Sequence, residues 1–221
     1  MRRKTTPASA HSKPLIVSQI GDALVKLKYP RGGFLKDIQL RSVDSKTRIF
    51  GPAVTVKMVR TKNKDKPTLD THFVDHNVKG GVMYIHQPVD AISACWGGLM
   101  STRAKYLGAE GVVINGRMRD INEHKEFNFP VFSRGVSILG SNTFTRASEI
   151  NVPIRDGGDL WINPGDILVG DADGVVSVPP SLIEQVVALC QERAEIDEKM
   201  FAELRNGAAM GDLIRTIRKD K

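Results

Sequence analysis

Only two cysteines, Cys95 and Cys190, occur in 221 residues, too few for a disulfide framework, and neither belongs to a CxxC pair. Each reads as a small buried apolar side chain in a reducing compartment. No secretory pattern opens the chain, so a cytoplasmic location is expected. No apolar run approaches the roughly 20 residues that cross a bilayer, so no membrane partner is expected. Aromatic residues make up 6% of the chain, and no basic stripe interleaves them. A stacking platform for bases is therefore missing, and nucleic acid is not the expected partner. Neither GxxxxGK[ST] nor GxGxxG is present, which removes the usual phosphate cradles of nucleotide cofactors.

What is present is an ordinary globular composition, 41% hydrophobic and 26% charged, long enough for one substantial core. The net charge of +7 suits small acidic substrates. Much of the excess lies at the ends, in Arg2, Arg3, Lys4 and Lys13 and in Arg215, Arg218, Lys219 and Lys221. Residues 1–14 read as a disordered leader, acid-poor like a transit peptide but without its amphipathic face. Residues 15–207 read as a single domain and 208–221 as a basic C-terminal tail.

Apolar residues at helical spacing (Ile16, Ile20, Leu24, Leu27) predict a helix over 15–28. Strands are expected at 48–59, after the Gly80–Gly81 turn, at 111–115, at 131–138, at INVPI (150–154) and within 165–179. Helices are expected at 68–78, at 98–107 and from Ser181 to about Arg205. Ser181 and Glu184 are spaced as a capping box, and Gly207 is placed as a stop. The alternation gives an α/β class, one domain, with a strand-rich centre and helices outside.

The stretch WGGLMSTRAKYLGAEGVVINGRMRD (96–120) carries the chemistry. A helix starting near Gly98 offers unpaired backbone N–H groups and the positive end of its dipole. The two glycines allow a ligand carboxylate to come close. The strand that follows returns the chain to Arg119, whose guanidinium can fork onto an anion, and Asp120, a hard oxygen ligand suited to Mg²⁺ or Mn²⁺. Spacing alone favours the plainer reading, an Arg–Asp pair on a solvated turn.

Other constellations say less. His72, Asp75 and His76 lack the general-base Glu of HExxH and read as a surface polar face. GDADG (170–174) starts like a calcium loop, but the twelfth position is Leu182 instead of Glu, so a strand-connecting turn is expected. Ser101 and Ser141 have no Ser-His-Asp context.

The run GGLMSTRAKYLGAEGVVINGRMRDINEH, followed by PGDILVGDADGVVSVP, resembles the family that groups class II pyruvate aldolases with the bacterial regulator of ribonuclease activity A. The aldolases act on 4-hydroxy-4-methyl-2-oxoglutarate and 4-carboxy-4-hydroxy-2-oxoadipate. IGDAL (20–24) and IFGPAVTV (49–56) fit its opening segments, and GGLMSTRA resembles its fungal branch. The resemblance implies a swivelling-domain-like α/β/α sandwich, assembled as a homotrimeric ring with active sites between subunits. It also implies a divalent metal, usually Mg²⁺, and a small anionic 2-oxo acid substrate. Carried over residue by residue, it puts the pyruvate carboxylate on Gly97, Gly98, Leu99 and Met100, pyruvate oxygens on Arg119 and the metal on Asp120. Glu123 fits the acid that follows the pair and is a candidate second ligand.

One departure bears on mechanism. The aldolases carry an aspartate, twenty intervening residues and then Arg-Asp, and here the place of that aspartate is Gly98. Retro-aldol cleavage needs a base for the C4 hydroxyl proton, whereas decarboxylation of oxaloacetate does not. The departure is therefore expected to weaken aldol cleavage more than decarboxylation. The expected function is a metal-dependent carbon–carbon lyase acting as oxaloacetate decarboxylase, aldolase or both. An enzyme with another substrate on the same site, or a regulator of an RNA-processing enzyme, remains open. The retained Asp120 argues against the last, because the regulators of the family lack it.

Overall fold

The structure, a computed structural model, describes residues 16–42 and 46–219. The leader expected at 1–14 lies outside the described residues. Helix α1 (Val17–Lys26) buries Val17, Ile20, Ala23 and Leu24. The chain then makes a tight turn through Gly32 and Gly33, both at positive φ. A β-carbon on Gly33 would meet Leu24 Cδ1 at 2.9 Å and Val176 Cγ2 at 3.0 Å, so only glycine lets this turn lie on the sheet.

Among the described residues ten strands follow in chain order: β1 (Gln39–Leu40), β2 (Ile49–Arg60), β3 (Val82–His86), β4 (Gly111–Met118), β5 (Val131–Val136), β6 (Thr145–Ile150), β7 (Ile154–Gly157), β8 (Leu160–Ile162), β9 (Ile167–Asp171) and β10 (Gly174–Val178). Eight of them form one sheet in the order β1-β5-β4-β3-β2-β9-β10, with β6 also on β2. Strands β2 to β5 run parallel, as crossover segments between them require. The long β2 pairs with β9 through its first residues and with β6 through its last.

The sheet curls until its ends approach. Phe34 bridges Val176, and Leu35 N–H donates to Val175 O at 3.0 Å. The fold is therefore α/β with a strand-rich centre, its sheet nearly closed around an interior of its own. Alternation along the strands feeds two cores. Val82, Tyr84, Val113 and Phe132 point inward with Leu35, Leu160 and Leu168. Met83, Ile85, Val112 and Ile114 point outward, under helices α2 (Gly98–Tyr106) and α3 (Ile121–Glu126). Burial on both faces explains why these strands read as continuous apolar runs. Helix α4 (Ile183–Arg205) packs with α1 over β10 through Val186 and Cys190.

Four sequence expectations need correction. Residues 68–78 hold only a single 3₁₀ turn, Phe73–His76, because His72 Nδ1 accepts from Val74 N–H and Asn77 Nδ2 donates to Val74 O, closing it at both ends. INVPI is not one strand: Asn151, at φ 53°, bends the chain between β6 and β7. Ser181 is not the cap of α4. It lies in a 3₁₀ turn set by Pro179 and Pro180, and the helix begins at Ile183 without a side-chain cap. Finally, Met210–Leu213 (α5) and Ile214–Arg218 are helical, with Leu213 buried, in the stretch read as a tail. Gly207 does end α4: its N–H reaches Leu204 O and that of Ala208 reaches Glu203 O. Both cysteines are buried, as expected.

Candidate active site

Strand β4 and the segment before α2 run side by side and deliver the site. Trp96 bridges Met118 in parallel, Cys95 N–H donates to Arg117 O at 2.9 Å, and Arg119 N–H donates to Trp96 O at 3.0 Å. The glycine turn and the Arg-Asp pair, twenty residues apart in sequence, thus become neighbours.

Asp120 is the residue before α3 and adopts the left-handed conformation at φ 63°. That costs roughly 1–2 kcal/mol for a non-glycine residue, and the surroundings must hold it. Its Oδ2 accepts the N–H of Gly98 at 3.0 Å and faces Arg119 Nε at 3.5 Å. The positive start of α2 therefore already receives a carboxylate, the protein's own. Of the four N–H groups expected to hold a ligand carboxylate, Gly98 donates to Asp120 and Met100 to Gly97 O. Leu99 extends its side chain into solvent.

Both glycines lie directly under side chains of the site. A β-carbon at Gly97 would lie 2.5 Å from Asp120 Oδ2, and one at Gly98 would overlap the Glu123 carboxylate. Glu123, in the first turn of α3, is folded over the start of α2. The structure therefore brings together all of the residues singled out in the sequence: Gly97, Gly98, Leu99, Met100, Arg119, Asp120 and Glu123.

A pocket of about 370 Å³ is lined by Ala94–Met100, Arg119, Asp120 and the loop Leu139–Phe144. A second, more open depression shares Arg119 and Asp120 and adds Glu123, Val136 and Ile138. Sequence reasoning missed the 139–144 loop, whose Ser141, Asn142 and Thr143 face the first pocket. No spacing rule links it to residues 96–120. It also set Ser101 aside, which in the folded chain meets His124 at 2.9 Å. Ser101 and His124 are fully buried, so Ser101 is not an exposed nucleophile. Burial pushes His124 below the ordinary imidazole value, against the Arg119 carbonyl and the charges of Asp120 and Glu123, which pull it up.

The other constellations are engaged structurally. His76 Nε2 meets Thr71 Oγ1 at 2.9 Å, and Asp75 accepts from Arg103 Nε at 2.7 Å. Asp171 accepts Val17 N–H on one oxygen and Asp173 N–H on the other, closing the β9–β10 turn as GDADG suggested. Among the described residues no group of three or more His, Cys, Asp or Glu could hold a metal, and no helix is long and apolar enough to cross a membrane.

The RraA-like family (Aldolase/RraA) matches residues 17–177. A Halalkalibacterium halodurans protein named "Putative 4-hydroxy-4-methyl-2-oxoglutarate aldolase" is 35% identical over 159 residues, 72% of this chain and 73% of its own. An uncharacterized Pseudomonas syringae pv. tomato protein of known structure superposes with a TM-score of 0.78 at 26% identity, over 90% of this chain and 92% of its own. RraAS2 of Streptomyces coelicolor, described as an unusual member of the RNase ES inhibitor RraA family, superposes with a TM-score of 0.68 at 24% identity. That match covers 86% of this chain and 90% of its own, and shows the fold alone.

Proposed function

The chain belongs to the RraA-like family, and from that premise we propose that it is a divalent-metal-dependent carbon–carbon lyase that forms a pyruvate enolate. Its substrates would be oxaloacetate, by decarboxylation, and 4-hydroxy-2-oxo acids such as 4-hydroxy-4-methyl-2-oxoglutarate, by aldol cleavage. The observation that carries this reading is the convergence of Arg119, Asp120, Glu123 and the Gly97–Gly98 turn on one pair of adjoining pockets. The aldolase-named relative supports the lyase class.

The donor set suits a small hard cation. Mg²⁺ typically takes one or two carboxylates and keeps several waters, and the Asp120 carboxylate at the pocket wall is such a ligand. Asp120 would hold Mg²⁺ or Mn²⁺, with water and substrate oxygens supplying the remainder. Bound there, the ion would act as a Lewis acid on the 2-oxo group.

The chain's own residues do the rest. The Arg119 guanidinium grips the substrate carboxylate and remains beside the enolate oxygen as charge develops. Asp120, anchored by Gly98 N–H, fixes the wall against which the 2-oxo acid lies. Glu123 occupies the room of the acid missing at position 98. We assign it the proton of the C4 hydroxyl in aldol cleavage, in place of the metal-ligand role read from the sequence. Aldol cleavage is then not lost with the position-98 acid, because a carboxylate reaches the same space from α3.

Self-association as a homotrimer belongs to the same proposal. Val136, Ile138 and Leu139 expose apolar side chains beside Glu123, and Ile138 is 92% exposed. An apolar rim at the mouth of an active site fits a neighbouring subunit.

The experiment is pyruvate release from oxaloacetate, with Mg²⁺ and with EDTA, for wild type and Asp120→Asn. The reaction of Mg²⁺ alone is subtracted. Turnover that needs both metal and Asp120 is expected. Wild-type rates at background, or full activity in the variant, would overturn the reading.

A further inference from the structure

A directional chain of hydrogen bonds runs beneath the site. Trp96 Nε1 lies 2.8 Å from Ser101 Oγ, Ser101 Oγ lies 2.9 Å from His124 Nδ1, and His124 Nε2 lies 2.6 Å from Arg119 O. All three side chains are buried, so water does not compete. Chemistry fixes the direction. An indole N–H can only donate, so Ser101 Oγ accepts from Trp96. A carbonyl oxygen can only accept, so His124 Nε2 carries a proton. In neutral imidazole Nδ1 is then bare, and it takes the one hydroxyl proton Ser101 has to give. Every donor and acceptor in the relay finds its partner in a single arrangement.

The relay ends on the peptide that joins Arg119 to Asp120. That peptide's carbonyl accepts from His124, and the Arg119 N–H, in the preceding peptide, donates to Trp96 O. The left-handed turn at Asp120 begins there, and such turns persist only where their surroundings over-determine them. We infer that His124, in the Nε2–H tautomer that the Arg119 carbonyl requires and with Nδ1 paired to Ser101, is a positioning residue: it locks the Arg119–Asp120 peptide and so aims the guanidinium and the carboxylate into the pocket. The activity arm of its test rests on the lyase reading above; the spectroscopic arm does not.

The two nitrogens can be separated by substitution. In His124→Gln the amide nitrogen falls near the place of Nε2 and keeps a donor for Arg119 O. In His124→Asn the amide falls near Nδ1 and keeps a partner for Ser101 but not for Arg119. With oxaloacetate and Mg²⁺, the Asn variant should lose about 10–100-fold in kcat, the scale of lost outer-shell partners, while Gln retains most of it. Equal losses in the two would show that only volume matters and would overturn the proposal. Nitrogen-15 NMR should find the wild-type ring as the Nε2–H tautomer, and Ser101→Ala, which leaves the Arg119 carbonyl in place, should keep it. Backbone shifts at Asp120 should keep their left-handed signature in His124→Gln and lose it in His124→Asn. The opposite wild-type tautomer, or an Asp120 indifferent to both variants, would overturn the proposal even if wild type turned over no oxaloacetate.

Discussion

The carboxylate of Glu123 fills the space that a side chain at Gly98 would need. In sequence these positions look independent, one an acid lost and the other an acid kept. In the fold they compete for one space, because the start of α3 lies across the start of α2. An acid at 98 and Glu123 in its present position cannot coexist.

Introducing an acid at 98 alone should therefore harm the protein. Gly98→Asp is expected to lower the thermal midpoint and both activities. Gly98→Asp combined with Glu123→Ala should recover stability and restore the aldolase-to-decarboxylase ratio. Glu123→Gln, nearly isosteric, should depress cleavage of 4-hydroxy-4-methyl-2-oxoglutarate at least about tenfold more than decarboxylation of oxaloacetate, in line with removal of a general base. Equal effects on the two reactions would remove Glu123 from the proton path.

Arg119 should tolerate no conservative exchange. Lysine keeps the charge but loses the planar fork. Arg119→Lys is expected to lower kcat/KM by about 100-fold, the scale of one lost oxyanion donor, with KM raised and kcat lowered. Steady-state kinetics on oxaloacetate decide it; a variant within threefold of wild type would show that the guanidinium does not touch the substrate.

Stability should fall on mild acidification. Burial pushes His86 and His124 below the ordinary imidazole value of 6.5. In the unfolded chain both protonate near that value, while the folded chain resists until lower pH. The unfolded state then binds more protons, so stability is complete above about 6.5 and declines as pH falls toward the folded values. Urea midpoints measured from pH 7.5 to 5 should show this decline, and His86→Gln should flatten it. A profile level across that range would refute the assignment.

The apolar rim should be load-sensitive to charge. Ile138→Asp is expected to shift the molecular mass in light scattering from trimer toward monomer and to reduce turnover with it. A wild type that scatters as a monomer, or a variant that keeps the trimer, would remove the neighbouring subunit from this surface.

Much of the architecture was legible because it rests on local rules. Val82–Ile85 and Val112–Ile114 announce strands buried on both faces, and Gly207 stops α4 by its φ of 90°. The errors came where short-range side-chain chemistry overrode periodicity. His72 and Asn77 close a single turn where a helix was expected, and Pro179–Pro180 start α4 without Ser181.

The sequence by itself determined the α/β class and the helix–strand order through residues 98–115, and residue type and spacing singled out Arg119 and Asp120, while Glu123 was reached only through the family resemblance. Only the tertiary structure decided that Asp120 caps the start of α2, that Glu123 stands in the place of residue 98, and that Ser101 and His124 join under the site. Those relations depend on distances between segments about twenty residues apart. Such distances are set by how β4 and the Trp96 segment pair and how α2 and α3 pack upon them, and no one-dimensional pattern encodes that packing.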